Sequence, residues 1–382
     1  MRTSILAFAM MALFAIGAAR AEPGLADSKA DHIAILDYDS GLLLDCKTCN
    51  TPMPPASMSK LMTMLVVAEQ LKAGKIKPET TFKVSEKAWR HGAQSDGSHM
   101  FLGLGSDVRV DDLMRGVIIV SANDACIVLA EGISGSEAGF VDLMNQRAQE
   151  LGLKTARFRN VTGLPDPDHV ISAADLARLA AIIIREHGDL YAIYAQREFT
   201  FAGKTQQNRN PLLGKVDGGD GVKTGHTSLS GYGMVGSATR NGQRRIIVFN
   251  GLPSMAARAS EAERLMNAAF FDYGVSKLAE KGAVMGQAQV RLGSKKTVPL
   301  VAQQTIYVGA HRAIKAGLKA HIVYAGPVAA PVKAGQPIGK LVIEGPGFSR
   351  QEYPLATANK VDRANLFARF GADLAALVGA GS

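Results

Sequence analysis

Three cysteines in 382 residues are too few for a disulfide-built scaffold. Cys46-x-x-Cys49 has no second pair and no histidine near it, so it completes no zinc site. In an oxidising compartment the two can bond to each other, and Cys126 reads as a buried packing residue. None of the eight histidines falls in a His-Glu-x-x-His or similar ligand spacing, so no metal and no cofactor is implied. The net charge is +9, yet there is no Lys/Arg tract and no nucleic-acid-binding module. That excess favours an acidic surface or substrate over nucleic acid. Arg244-Arg245 reads as a solvated strand end. Internal repeats and low-complexity stretches are absent, and with 47% apolar and 20% charged residues the chain is an ordinary globular protein. At roughly 150 residues per domain it holds two or three domains.

Only one long apolar run occurs. Arg2 precedes the uncharged stretch Ile5–Ala18, and Ala19-Arg20-Ala21 fits a small-x-small cleavage site. Residues 1–21 therefore read as a signal peptide and the chain as exported; losing Arg2 and Arg20 lowers the net charge from +9 to +7. At the other end Leu366, Phe367, Phe370, Leu374, Leu377 and Val378 share one narrow helical stripe. Such a helix can lie in a membrane interface or dock on its own domain, and Arg363 and Arg369 are offset by Asp362 and Asp373.

Between these ends the pattern changes twice. Ile33–Tyr38 and Leu42–Leu44 form a hairpin about Gly41, and Pro52, Pro54 and Pro55 break it. Ser57 to Lys72 is helix-forming and apolar on nearly every side, which predicts a helix through the middle of its domain. Further helices are predicted at Leu113–Val120, Asp124–Glu131, Glu137–Leu151 and Ala173–Glu186, and a loop at Arg90–Gly105. Val222–Thr227, Tyr232–Thr239 and Arg245–Asn250 read as strands, the last two joined by an Asn241-Gly242 turn, before a helix Glu261–Tyr273. Strands at both ends of this stretch with helices between them imply one antiparallel sheet flanked by helices. Beyond Gly274 the runs Val284–Leu292, Thr297–Val301, Gln303–Val308, Ala320–Tyr324 and Lys340–Ile343 predict a small all-β module. Gly231-Tyr-Gly-Met-Val-Gly has the form of a dinucleotide fingerprint, but it lies within a strand and opens no helix.

Three motifs carry chemistry. Ser57-Met-Ser-Lys60 opens the buried helix, Ser121-Ala-Asn123 sits at a helix–loop junction, and Lys223-Thr-Gly225 lies on a strand. A serine at a helix start presents its hydroxyl beside free backbone N–H groups that can hold an oxyanion. A lysine three residues on lies one turn along the same face. Burial and a second cation, for which Lys223 is the candidate, would lower its pKa toward that of a general base.

With these motifs the sequence resembles the low-molecular-mass penicillin-binding proteins of the serine D-alanyl-D-alanine carboxypeptidase family. The likeness rests on Pro55-Ala-Ser-Met-Ser-Lys-Leu-Met-Thr, Ser121-Ala-Asn-Asp-Ala, Asp220-Gly-Val-Lys-Thr-Gly-His-Thr and the passage Leu151-Gly-Leu to Thr162-Gly-Leu-Pro. It implies an α/β (α+β) transpeptidase/β-lactamase-like catalytic domain over 22–275, an all-β domain over 276–360 and an amphipathic helix, often a membrane anchor, over 361–382. It also implies a periplasmic enzyme, peripheral on the outer face of the inner membrane, whose partners are peptidoglycan stem peptides and β-lactam antibiotics. By the same likeness Ser57 is the nucleophile, Lys60 its base, Ser121 a proton relay, Asn123 an orienting group and Lys223 a positive charge. Thr224, Gly225, His226 and Arg258 would then bind the substrate, with Arg258 on its terminal carboxylate and the N–H groups of Ser57 and His226 around the oxyanion. Two rivals stay open: a serine β-lactamase, whose deacylating glutamate would have to be Glu131, Glu137 or Glu150, and a catalytically silent wall-binding protein.

Overall fold

The structure, a computed structural model, describes Leu25 and residues 27–93 and 97–365. Residues 1–21, expected to be a signal peptide, and the apolar stripe from Leu366 to Val378 lie outside the described residues.

A five-stranded antiparallel sheet has the order β2 (Leu43–Lys47), β1 (His32–Asp37), β9 (Gln243–Leu252), β8 (Gly231–Arg240), β7 (Gly219–Thr227). Successive side chains on a strand point to opposite faces, and the sequence uses both. Ile33, Ile35, Met234, Ile247 and Phe249 pack on one side, against Leu265 and Met266 of α8 (Met255–Phe271). Ala34, Leu36, Val222, Val235, Ile246 and Val248 face the larger, helical side. That layer is built from α1 (Lys60–Lys72), α2 (Glu86–Ala93), α3 (Val110–Arg115), α4 (Asn123–Ser134), α5 (Glu137–Glu150), α6 (Ala173–Glu186) and α7 (Gly188–Tyr194). Two short ribbons edge it, β3 (Thr81–Lys83) with β4 (Asp107–Arg109) and β5 (Glu198–Phe201) with β6 (Lys204–Gln207). Every residue of α1 from Lys60 to Ala68 is buried, as an all-round apolar helix must be.

Two expectations need correction. The segment from Arg90 is not all loop, because α2 runs to Ala93. Arg244-Arg245 is not a solvated strand end. Arg245 is 1% exposed and pairs with Asp37, its direct cross-strand partner on β1, while Arg244 reaches Asp220 at 2.7 Å. Arg245 thus meets a carboxylate of the neighbouring strand β1 and Arg244 one that lies across β8 on β7, so burial is matched by charge pairing.

The C-terminal part is all-β, with a core of its own around Val298, Leu300, Ile343 and Leu355. Strand β10 (Tyr273–Ala279) pairs with β13 (Ile306–His311). The order β14 (Lys319–Tyr324), β16 (Pro337–Gly345), β17 (Phe348–Thr357), β12 (Thr297–Ala302), β11 (Val284–Arg291), β15 (Val328–Ala329) makes a six-stranded sheet. Val361 and Arg363 form bridges to Val332 and Gly293, so the chain is still part of this sheet structure where the amphipathic helix was expected to begin. Strand β13 packs on β2, and a side chain at Gly309 would strike Leu44. Among the described residues no helix is long and apolar enough to cross a membrane, and no cluster of His, Cys, Asp and Glu could hold a metal ion.

Candidate active site

The chain before α1 does not enter the helix directly. Ala56–Ser59 forms a 3-10 turn, with Ala56 at φ +49°, and the α-helix begins at Lys60. Ser57 lies half-buried on this turn, while Lys60 is 1% exposed. The Lys60 ammonium lies 2.9 Å from Ser57 Oγ, 2.8 Å from Asn123 Oδ1 and 2.5 Å from the carbonyl of Thr162. Two of those partners can only accept. A neutral lysine has two N–H bonds and one lone pair, so Asn123 and Thr162 take the N–H bonds and the lone pair is left facing Ser57 Oγ. The three contacts therefore orient a base on a nucleophile.

Each partner is held locally. After α3 the helix widens into one π-turn, Gly116–Val120, and ends at Ser121 with φ +67°; α4 then starts at Asn123. Ser121 and Asn123 are both buried. Thr162 is placed by Asn160, whose Oδ1 accepts from the N–H groups of Thr162 (3.1 Å) and Gly163 (2.7 Å). This Asx-type turn aims the Thr162 carbonyl inward. Gly163, at φ +79°, lies so close to the nucleophile turn that an added Cβ would fall 2.0 Å from the Ala56 carbonyl oxygen. A side chain at Gly225 would likewise approach the Pro55 oxygen at 2.9 Å, so only glycine lets β7 lie along the turn that carries Ser57.

Burial pulls the Lys60 pKa down to about 8, with the charge of Arg209 lowering it further and Cys126 and Asp124 opposing. Lys223, also buried, is held well below the ordinary lysine value by desolvation and then by the charges of Lys60 and Arg209. Lys60 and Lys223 thus repel each other, as expected of the second cation, and Arg209 adds a further positive charge that acts on both. Further along β7, His226 stacks on its β8 partner Tyr232 (ring centroids 3.7 Å apart), and Arg258 lies over the same Tyr232 ring at 5.6 Å. Arg258 is 4% exposed, and its Nε has no hydrogen-bond partner among the described residues. A buried guanidinium in that condition suits an anion. The expected residues are therefore brought together: Ser57, Lys60 and Asn123 by direct contact, Lys223 through its charge, and Thr224, Gly225, His226 and Arg258 along β7 and α8.

Sequence reasoning missed Thr162 as a partner of Lys60, Arg209, and the buried Asp124. Asp124 accepts from the N–H groups of Met100 (3.1 Å) and Leu102 (3.4 Å) and so ties the loop after residue 97 to the start of α4. The Thr162-Gly163 turn, shortly before Pro165, was the only signal for the first; nothing marks Arg209. The cysteines follow expectation, with Cys46 bonded to Cys49 and Cys126 free and buried. Of the glutamates that a β-lactamase would need, Glu137 binds Lys87 and the Val161 N–H, Glu150 binds Arg147 and Gln146, and Glu131 lies within α4.

A family described as D-alanyl-D-alanine carboxypeptidase matches residues 18–252, and one described as penicillin-binding protein 5, C-terminal domain, matches residues 273–363. D-alanyl-D-alanine carboxypeptidase DacA of Haemophilus influenzae is 36% identical over 367 residues, which cover 95% of this chain and 93% of the relative. The solved structure of penicillin binding protein 5 from Haemophilus influenzae is similar with a TM-score of 0.73 at 38% identity, covering 87% of this chain and 98% of that one. Penicillin-binding protein D2 from Listeria monocytogenes, solved in an ampicillin-bound form, is similar over 63% of this chain and 97% of its own, with a TM-score of 0.57 at 28% identity. With a serine and an asparagine both held on one buried lysine and both parts of the chain matched, the protein belongs to the serine-type D-alanyl-D-alanine carboxypeptidase family.

Proposed function

We propose that the chain removes the terminal D-alanine from peptidoglycan stem pentapeptides through an acyl-enzyme on Ser57. The observation that carries this reading is the 2.9 Å contact between Lys60 Nζ and Ser57 Oγ, with the other two N–H directions of the lysine already used. Neutral Lys60 takes the Ser57 proton as Oγ attacks the carbonyl carbon between the two D-alanines. The negative oxygen that forms is held by the N–H groups of Ser57 and His226. Ser121 passes a proton to the departing nitrogen, D-alanine leaves, and water, deprotonated by Lys60, opens the ester.

Recognition uses the edge of the sheet. Strand β7 is the last strand, so an extended peptide can lie along it as a further strand. Thr224 and Arg258 bind the terminal carboxylate, and Lys223 adds positive charge. That anion also favours the charged form of Lys223, which repulsion from Lys60 and Arg209 otherwise weakens. β-Lactams acylate the same serine by the same attack. Intact mass measured after brief exposure to benzylpenicillin should show one adduct on the wild type and none on Ser57→Ala. No adduct on folded wild type at any time would overturn the acyl-enzyme.

We infer also that residues 1–21 direct export to the periplasm, and that residues 366–382 make a peripheral contact with the outer face of the inner membrane. The support is the apolar run before Ala19 and the apolar stripe from Leu366 to Val378. Deleting residues 366–382 spares the Arg363–Gly293 bridge. It should move the protein from the membrane fraction to the soluble one, whereas a full-length chain already soluble would overturn the contact.

A further inference from the structure

Phe101 departs from ordinary behaviour in two ways. Its φ of +63° places a bulky side chain in the left-handed region, and the residue is 42% exposed. Such an outlier persists only where its surroundings enforce it. Here they do: the buried Asp124 carboxylate accepts from the N–H groups on either side, those of Met100 and Leu102, and both of those side chains are buried. Gln206 donates to the His99 carbonyl at 3.1 Å, and Arg209 donates to Ser98 Oγ at 2.5 Å. The fold thus holds an aromatic face outward on a braced loop.

That face is not bare. The Lys204 ammonium lies 3.6 Å from the Phe101 ring centroid, and the His99 ring stands edge-on to it at 4.4 Å. Lys204 begins β6 at the tip of the β5–β6 ribbon, and among the described residues it has no carboxylate partner. The loop meets the reaction site directly, since the Ser98 carbonyl accepts from the Asn123 N–H at 2.7 Å. A ring and a cation therefore stand together on a loop whose Ser98 carbonyl holds the N–H of Asn123, the group that orients Lys60.

We propose that Phe101 and Lys204 form a rim subsite for the part of the stem peptide that precedes its D-alanine pair. The Phe101 face would pack on an aliphatic stretch, and Lys204 would pair with a carboxylate on the second residue of the pentapeptide. An extended chain advances about 3.3 Å per residue, so that residue lies roughly 7 Å from the one bearing the scissile carbonyl, plus the reach of its side chain. The proposal rests on the carboxypeptidase reading and adds to it a preference for acidic stem peptides.

The test compares three substrates: two pentapeptides ending in D-Ala-D-Ala that carry glutamate or glutamine at the second position, and a short N-acyl-D-Ala-D-Ala. Benzylpenicillin acylation is followed alongside. The variants are Lys204→Gln and Phe101→Gly, the second chosen because glycine keeps the left-handed backbone without strain. Wild type should favour the glutamate peptide about fivefold in kcat/KM, in the range of a partly exposed ion pair. Lys204→Gln should bring that ratio to one, and Phe101→Gly should raise KM for both pentapeptides several-fold. Neither should change the short substrate or the antibiotic by more than about twofold. A wild type indifferent to the glutamate/glutamine exchange would overturn the subsite and leave the carboxypeptidase reading standing. Equal losses on all substrates would assign the loop a purely structural role and also overturn the subsite. Acylation without D-alanine release from any substrate would overturn both readings.

Discussion

Lys60→Met should slow acylation by benzylpenicillin about a thousandfold while leaving the protein folded. A positioned general base contributes on the order of 10²–10⁴ in rate, and here no other group among the described residues is in hydrogen-bond reach of Ser57 Oγ to replace it. Methionine fills similar volume in a helix packed on all sides, but it leaves the Asn123 and Thr162 oxygens without their donor. Each stranded acceptor costs about 1–3 kcal/mol, offset by no longer burying an amine. A melting temperature within a few degrees of wild type, with the slow acylation, separates lost chemistry from lost structure. The wild type should meanwhile show the signature of this base in its pH profile. Burial disfavours the ammonium and holds its pKa at about 8, so roughly a tenth of the enzyme carries the free base at pH 7. Acylation should therefore rise about tenfold per pH unit below 8 and level off above it. A rate flat between pH 6 and 9, or a Lys60→Met variant acylated at nearly the wild-type rate, would remove Lys60 from the role of base.

The parts of the site that could be read from the sequence are those whose chemistry lives in side chains at short spacing. Ser57 with Lys60, Ser121 with Asn123, and Lys223-Thr224-Gly225 each declare themselves within four residues, and the all-round apolar α1 announces that Lys60 is buried. What could not be read depends on backbone or on distant contact. The Thr162 carbonyl is a peptide oxygen like any other until the Asn160 turn aims it. Arg209 acts across space on Lys60 and Lys223 through charge alone, from a stretch whose sequence marks nothing. Arg244 and Arg245 illustrate the same limit: adjacent charges near a turn look solvated until strand register sets Asp37 and Asp220 beside them. Strand β17 escaped notice because Ser349–Glu352 is polar and Pro354 interrupts it, although its partners on β16 and β12 secure it. The antiparallel sheet with flanking helices was legible because β7, β8 and β9 are short strand-forming runs bounded by turns, of which Asn241-Gly242 is a tight one between β8 and β9.

Gly163→Ala should be among the most damaging single-methyl changes in the catalytic region, for a reason that a second glycine can isolate. Gly163 has φ +79°, and its Cβ would lie 2.0 Å from the Ala56 oxygen and 2.7 Å from Ser59 Oγ. Gly152 has nearly the same backbone, φ +68°, with nothing within 4 Å. Alanine at Gly152 bears only the left-handed strain, about 1–2 kcal/mol. Alanine at Gly163 adds a clash between two backbones, neither of which is a flexible side-chain end. One must move: either the turn that carries Ser57 or the segment whose Thr162 carbonyl holds Lys60. A displacement near 1 Å in a reacting pair costs about a hundredfold in rate. Gly163→Ala is therefore expected to lose at least about 3 kcal/mol of stability, in the range of overpacked core sites, and about a hundredfold in acylation of the molecules still folded. Gly152→Ala should keep wild-type acylation and melt only slightly lower. Thermal melts paired with labelling by a fluorescent penicillin decide the matter. If the two alanine variants behave alike, the close approach of the Thr162-Gly163 turn to the nucleophile turn is not what positions Lys60 on Ser57.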